Sequence, residues 1–148
     1  MKLENQVCTL EQAKRLKELG VSRINKDDGE SGFYWVSDNE VLMFHKDDGF
    51  PSSKYIRAFS VAELGVALII DDDIHFTDGR YNEHLGCWES HLEKRNPDTE
   101  ELETPFLLIH EARQEAETEA EARADLLIYL IENGITTSEE VNKRLKAA

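Results

Sequence analysis

His84, Cys87 and His91 fall at the spacing H-x2-C-x3-H, with His75 and Glu89 close by in the chain. Imidazole nitrogens and a thiolate are zinc ligands, binding at about 2.0–2.3 Å. A structural site needs four ligands, and His75, beyond the Asp78-Gly79 pair, is the candidate fourth. Strand geometry works against the set. Residues 84 and 87 are an odd number apart and would point to opposite faces of a strand. Cys87 and His91 share a face only if no bulge intervenes. No Cys-x2-Cys pair accompanies them. The plainer reading is a half-buried cysteine among surface histidines. The expectation is no cofactor and no metal. A small zinc-stabilised or metal-dependent module on His84, Cys87 and His91 is the alternative.

Other chemistries have less support. Asp71-Asp72-Asp73 has the carboxylates a hard cation takes, but no D-x-[DN]-x-[DN]-G loop surrounds it. Asp47-Asp48-Gly49 and Asp27-Asp28-Gly29 lack the distal glutamate. These acids read as solvated linkers. Carboxylate pairs are too plentiful for any pair to single itself out as an acid–base couple. No G-x-S-x-G elbow, P-loop or G-x-G-x-x-G turn is present. Cys87 beside His84 or His91 lacks the local signature of a cysteine nucleophile. The expectation is a protein that is not an enzyme.

Acidity is the stronger signal. Among 148 residues, 31 acids outnumber 17 bases, for a formal charge of -14. Between Glu93 and Asp125 there are 11 acids and 4 bases, so -7, half of the total, lies there. Acids in a first helical turn complement the helix dipole, which accounts for Glu119 and Glu121. It does not account for Glu93, Asp98, Glu100, Glu101, Glu103, Glu111, Glu115 and Glu117. Those residues are the candidate partner-binding surface. Such a surface repels phosphate and anionic lipid and attracts cations. No basic patch is visible, so direct nucleic-acid binding is not expected. The bland reading of the same acids is a face that maintains solubility. Phe33-Tyr34-Trp35 is a second surface question. Three consecutive aromatics put at least one on each face of a strand, and an uncovered Tyr34 would suit an interface.

The elements that would position these residues follow from local signals. Thr9 and Gln12 form a capping box ahead of Leu10, Ala13, Leu16 and Leu19, which predicts a helix over 10–19 closed by Gly20. Phe33 to Val36 and Val41 to Phe44 read as a hairpin. Tyr55 to Ala58 is a short extended piece. Ser60 and Glu63 open a helix to about Ile69, which Gly65 weakens by up to ~1 kcal/mol. Ile74 to Thr77, Asp78-Gly79 and Arg80 onward predict a hairpin with a type I′ turn. Leu85 to Trp88 extends the strands, residues 93–104 read as an exposed loop, and Pro105 to His110 reads as a buried strand. Thr118 with Glu121, and Thr137 with Glu140, are two more capping boxes. The first opens a helix with Ala120, Ala124, Leu127, Leu130, Ile128 and Ile131 as its apolar face, ending at Asn133-Gly134. The second opens a short helix with Val141 and Leu145 inward.

Length and composition suit one domain with an ordinary core. Two cysteines do not make a disulfide framework. The first residues are too polar for a signal peptide, and Val66 to Ile70 is far short of a membrane span. A cytoplasmic setting with no membrane association is expected.

Several blocks resemble a family of small proteins encoded by phages and prophages of Bacteroides-type gut bacteria. They are Cys8 to Val21, Phe33-Tyr34-Trp35, Ala58 to Gly65, and Thr118 to Ala124 continuing through Leu127 to Ile135. The blocks run in family order over a little under half the chain. Residues 66–117 lie outside them. The family carries no assigned activity, so the resemblance implies a setting inside a bacterial host and transfers no site residue.

Strands clustered between helices predict a single α+β domain over 1–148. Its sheet is mostly antiparallel, of about 4–6 strands, with three to four short helices packed on it. Residues 136–148 read as a C-terminal helical extension. The expected function is non-enzymatic: an acidic interaction protein that binds a host or phage protein, with nucleic-acid mimicry as one form of it. Oligomeric state is left open.

Overall fold

A computed structural model describes residues 2–22, 32–45, 54–69, 75–95, 102–108 and 114–147. Within them the fold is α+β, and every strand pairing is antiparallel. The order is α1 (Leu10–Glu18), β1 (Gly32–Val36), β2 (Val41–His45), β3 (Tyr55–Arg57), α2 (Val61–Ala67), β4 (His75–Asn82), β5 (Cys87–Arg95), β6 (Leu102–Leu108), β7 (Gln114–Ala116), α3 (Glu119–Glu132) and α4 (Ser138–Ala147). The strands divide between two sheets instead of forming one. The first runs β2-β1-β3. The second runs β4-β5-β6, with β7 also on β5.

The capping predictions hold in part. Thr9 and Ser60 each accept from an N3 amide, and Gln12 and Glu63 each reach back to the cap amide, so both boxes are reciprocal. Thr118 and Thr137 accept from Glu121 and Glu140, but neither return bond forms. Glu140 instead accepts from the Thr136 hydroxyl at 3.2 Å. Gly20, at φ 92°, closes α1, and the Val21 amide donates to the Leu16 carbonyl as in a Schellman motif.

One core unites α1, α2, α3, α4 and the first sheet, with Leu16, Trp35, Ile56, Phe59, Leu64, Leu127, Leu130, Val141 and Leu145 at its centre. Trp35 donates its indole N–H to the Cys8 carbonyl at 2.9 Å, so its one polar atom is satisfied on burial. Tyr34 is buried as well, under the Arg57 guanidinium 5.3 Å from its ring centroid, so it presents no open aromatic surface. Burial pushes the Cys8 thiol up to about 12, helped by nearby Glu63 and opposed by the Phe59 backbone bond. That leaves the thiol protonated and inert.

α3 lies against β4, β5 and β7, and also against α1 and α2. This explains burial wider than a single apolar face. Ala120, Ala124 and Leu127 form one buried stripe. Ala122 and Leu126, absent from the predicted face, form another. Gly65 has a packing role in α2. A Cβ there would stand 2.5 Å from the Arg123 guanidinium, which donates to the Val61 carbonyl at 2.9 Å. The helix propensity lost at Gly65 is exchanged for a close α2–α3 approach. In α4, Val141 and Leu145 sit in the core, and Arg144 donates twice to the Ala67 carbonyl at the end of α2.

Candidate functional site

The β4–β5 hairpin places the histidine and cysteine residues, and it departs from prediction. Asp78-Gly79 is not a turn. It lies inside β4, opposite His91 and Ser90. The turn comes at residues 83–86, where Asn82 Oδ1 accepts from the amides of His84 and Leu85, and Gly86 takes φ 67°. His84 is therefore an exposed turn residue outside the ladder. Cys87 begins β5 half-buried, and the unbroken register to Asp78↔His91 puts positions 87 and 91 on one face. Position 75 pairs with 94, on the other face. The predicted set is not brought together. Among the described residues no group of three or more His, Cys, Asp or Glu is placed to hold a metal ion.

The acidic segment divides. Glu93 lies in β5 opposite Phe76 and Leu108. Glu103 lies in β6 and Glu115 in β7, opposite Glu89. Residues 93–95 and 102–104, predicted as exposed loop, are thus strand ends. Asp98, Glu100, Glu101 and Glu111 fall outside the described residues, as do Asp71-Asp72-Asp73, Asp47-Asp48-Gly49 and Asp27-Asp28-Gly29.

Glu117 is exposed at the bend between β7 and α3, and it opens a row with Glu121 and Asp125 at helical spacing. Glu119 is different, because it pairs with Arg123 at 2.7 Å. Burial raises the Glu121 pKa first, and then the like charges of Glu117 and Asp125 raise it further. Burial also raises Asp125, opposed by a 2.7 Å bond from Gln12 Nε2. That same amide donates to the Glu121 carbonyl at 2.9 Å, and Gln12 Oε1 closes the α1 cap. The row therefore stands against α1 through one neutral side chain. Gln12 and Asp125 were missed as site residues. The i, i+4 spacing of Glu117, Glu121 and Asp125 was a readable sign. The cross-chain bond to Gln12 had none.

These raised carboxylates carry a sign for stability. A carboxyl group that holds its proton more tightly folded than unfolded costs stability once ionised, and the cost is relieved as pH falls through the folded pKa. A Glu121→Gln variant is therefore expected to have a higher urea midpoint than wild type at neutral pH. The gap should narrow as the pH is lowered into the carboxylate range. A gap that widens on acidification would contradict the assignment.

The second sheet carries a separate feature. Tyr81 and Trp88 are cross-strand partners with ring centroids 5.5 Å apart in an edge arrangement, and Tyr81 is 50% exposed. On the other side of Trp88 the partner is Ala116. On the opposite face Glu89 is fully buried, accepting from Asn82 at 2.8 Å and Arg80 at 3.3 Å.

The described residues thus define an α+β protein with an acidic row running into α3 and an aromatic pair on its second sheet. No family model, curated protein or solved structure matches the chain. No helix among the described residues is long and apolar enough to cross a membrane.

Proposed function

We propose that this chain is a non-enzymatic acidic binding module, acting in the bacterial cytoplasm on a basic protein of host or phage. The observation that supports it is the row of Glu117, Glu121 and Asp125, in which burial first, and then the charges of the other two, raise Glu121. Like charges that raise a neighbouring carboxylate mark a negative potential there, and a cationic partner relieves it. The setting is that of the phage-encoded family whose blocks the sequence resembles. Mimicry of nucleic acid needs more than this row. Acids four apart on a helix rise about 6 Å per charge, against about 1.7 Å per charge along duplex DNA. Glu93, Asp98, Glu100, Glu101, Glu103, Glu111 and Glu115 would have to thicken it, so the simpler basic-protein reading is preferred.

The test is affinity capture from host lysate with wild type and a Glu117→Gln/Glu121→Gln double variant. A basic protein should be retained by wild type and released by salt. At least a five-fold loss is expected for the variant, about 1 kcal/mol. Equal retention by both proteins, insensitive to salt, would overturn the proposal.

A further inference from the structure

We infer that the outer edge of β2 is a self-association site, where two copies of this chain pair their β2 strands antiparallel across a twofold axis. The direction of the backbone groups follows from β1. Ala58 donates its amide to the Phe33 carbonyl at 2.9 Å, and Ser37 donates to the Lys54 carbonyl at 2.8 Å, so positions 33, 35 and 37 turn toward β3. Positions 34 and 36 turn the other way and meet Met43 and Val41. Leu42 and Phe44 therefore aim their N–H and C=O groups away from the sheet, along an edge that no strand covers among the described residues. The side chains at that edge are apolar and open on both faces. Phe44 stands on the core face beside Phe33, ring centroids 5.3 Å apart, and is 57% exposed. Val41 is 50% exposed and lies on the other face, opposite Val36.

Charge selects a second copy as the occupant. Each copy carries -14, so two copies meet with least repulsion where neither presents a carboxylate. The other edge strands carry charge: Arg57 in β3, Asp78 and Arg80 in β4, Glu103 in β6 and Glu115 in β7. β2, from Val41 to His45, has no acid, no lysine or arginine and no proline, and its five pairs with β1 run without a bulge. Charges, prolines and bulges are the devices by which edges avoid pairing with a neighbouring chain. The strand also fits itself. With Leu42 of one copy opposite Phe44 of the other, both outward residues of each strand are used and four backbone bonds form. The twofold axis then passes between the two Met43 residues, and each exposed Phe44 ring gains a Leu42 side chain beside it.

The test is the mass of the full chain by sedimentation equilibrium, from about 10 μM to about 1 mM. Wild type should pass from one chain to two. Salt should tighten this association, since it screens the charge of one copy from the other, whereas it releases a basic partner from the acidic row. Phe44→Lys, a change at an exposed position, should weaken self-association by about ten-fold or more with an unchanged circular dichroism spectrum. A crosslink reads the same contact without a change of charge. In a Cys87→Ser background, Met43→Cys should form an intermolecular disulfide on mild oxidation, because the two positions 43 stand about 4.5 Å apart at Cα. At position 41 the two copies lie farther from the axis, and Val41→Cys should not crosslink. A wild type that remains one chain at about 1 mM would overturn the inference. So would self-association that a folded Phe44→Lys variant leaves intact, or crosslinking that is equal at positions 41 and 43. None of these outcomes bears on capture of a basic protein, so the acidic-module reading stands or falls separately.

Discussion

Replacing Arg57 with methionine is expected to destabilise the protein by about 3 kcal/mol, because it strands a carboxylate and removes a lid. Arg57 pairs with Glu63 at 2.9 Å, with side chains only 13% and 11% exposed. It also donates to the Tyr34 hydroxyl at 3.4 Å and covers its ring. Burial by itself pulls the Arg57 pKa down, but Glu63 and Tyr34 outweigh burial and hold it above its ordinary value. Glu63 is committed elsewhere too, since its Oε1 accepts from the Ser60 amide in the α2 cap. Without Arg57 that carboxylate must stay almost dry or leave its cap. Breaking such a pair costs more than replacing it. An Arg57→Met/Glu63→Gln double variant should therefore recover more than half of the loss, with a coupling of about 1–3 kcal/mol in a urea double-mutant cycle. A single variant within about 0.5 kcal/mol of wild type, the range of ordinary surface changes, would show that the pair is not structural. Gly32 belongs to the same feature, because a Cβ there would run into the Arg57 guanidinium.

Phe59→Ala should cost more, about 3–5 kcal/mol. Phe59 is the largest fully buried side chain among the described residues, 2% exposed, and it sits in the core shared by helices and first sheet. Its carbonyl still accepts from the Cys8 amide at 2.9 Å, so the substitution removes packing and leaves the backbone bond. Set against the 5–15 kcal/mol typical of whole domains, this is about a fifth or more of the total. At about 2–4 °C per kcal/mol for a chain near this size, the thermal midpoint should fall by roughly 6–20 °C. Phe59→Leu, closer in volume, should cost about half as much or less. A loss below about 1 kcal/mol on Phe59→Ala would mean that the site collapses without a cavity.

Local chemistry made much of this fold legible. Thr9, Gln12, Ser60, Glu63 and Gly20 announce helix ends within four residues of themselves, so sequence carries them. What tertiary structure decides was not legible. The hydroxyl halves of the Thr118 and Thr137 caps form, but Glu121 makes no return bond and Glu140 turns to Thr136. Asp78-Gly79 has the stronger local preference for a turn. It loses because the ladder continues past it, Gly79 opposite Ser90 and Asp78 opposite His91, while Asn82 and Gly86 make a turn further on. A shift of hairpin centre re-pairs every residue, which is why His84 left the ladder. β7, Gln114 to Ala116, has little strand propensity and exists by pairing with β5. The candidate site inherits that limit. Its acids could be seen in sequence, but the bond from Gln12 to Asp125 could not.

The bonds of α1 also bear on how the chain is made. Gln12 reaches Glu121 and Asp125, and Arg15 reaches Glu132 at 2.9 Å. The Gly20 carbonyl and Ser22 amide just beyond the helix bond Asn142. Each partner lies more than a hundred residues downstream. At about 5–20 residues per second of synthesis, the first helix waits roughly 5–25 s for them. For that interval Val7, Cys8, Ala13 and Leu16 have no α3 to cover them. The earliest-made helix is then among the last to be secured, and chaperone contacts during translation should concentrate on residues 7–16.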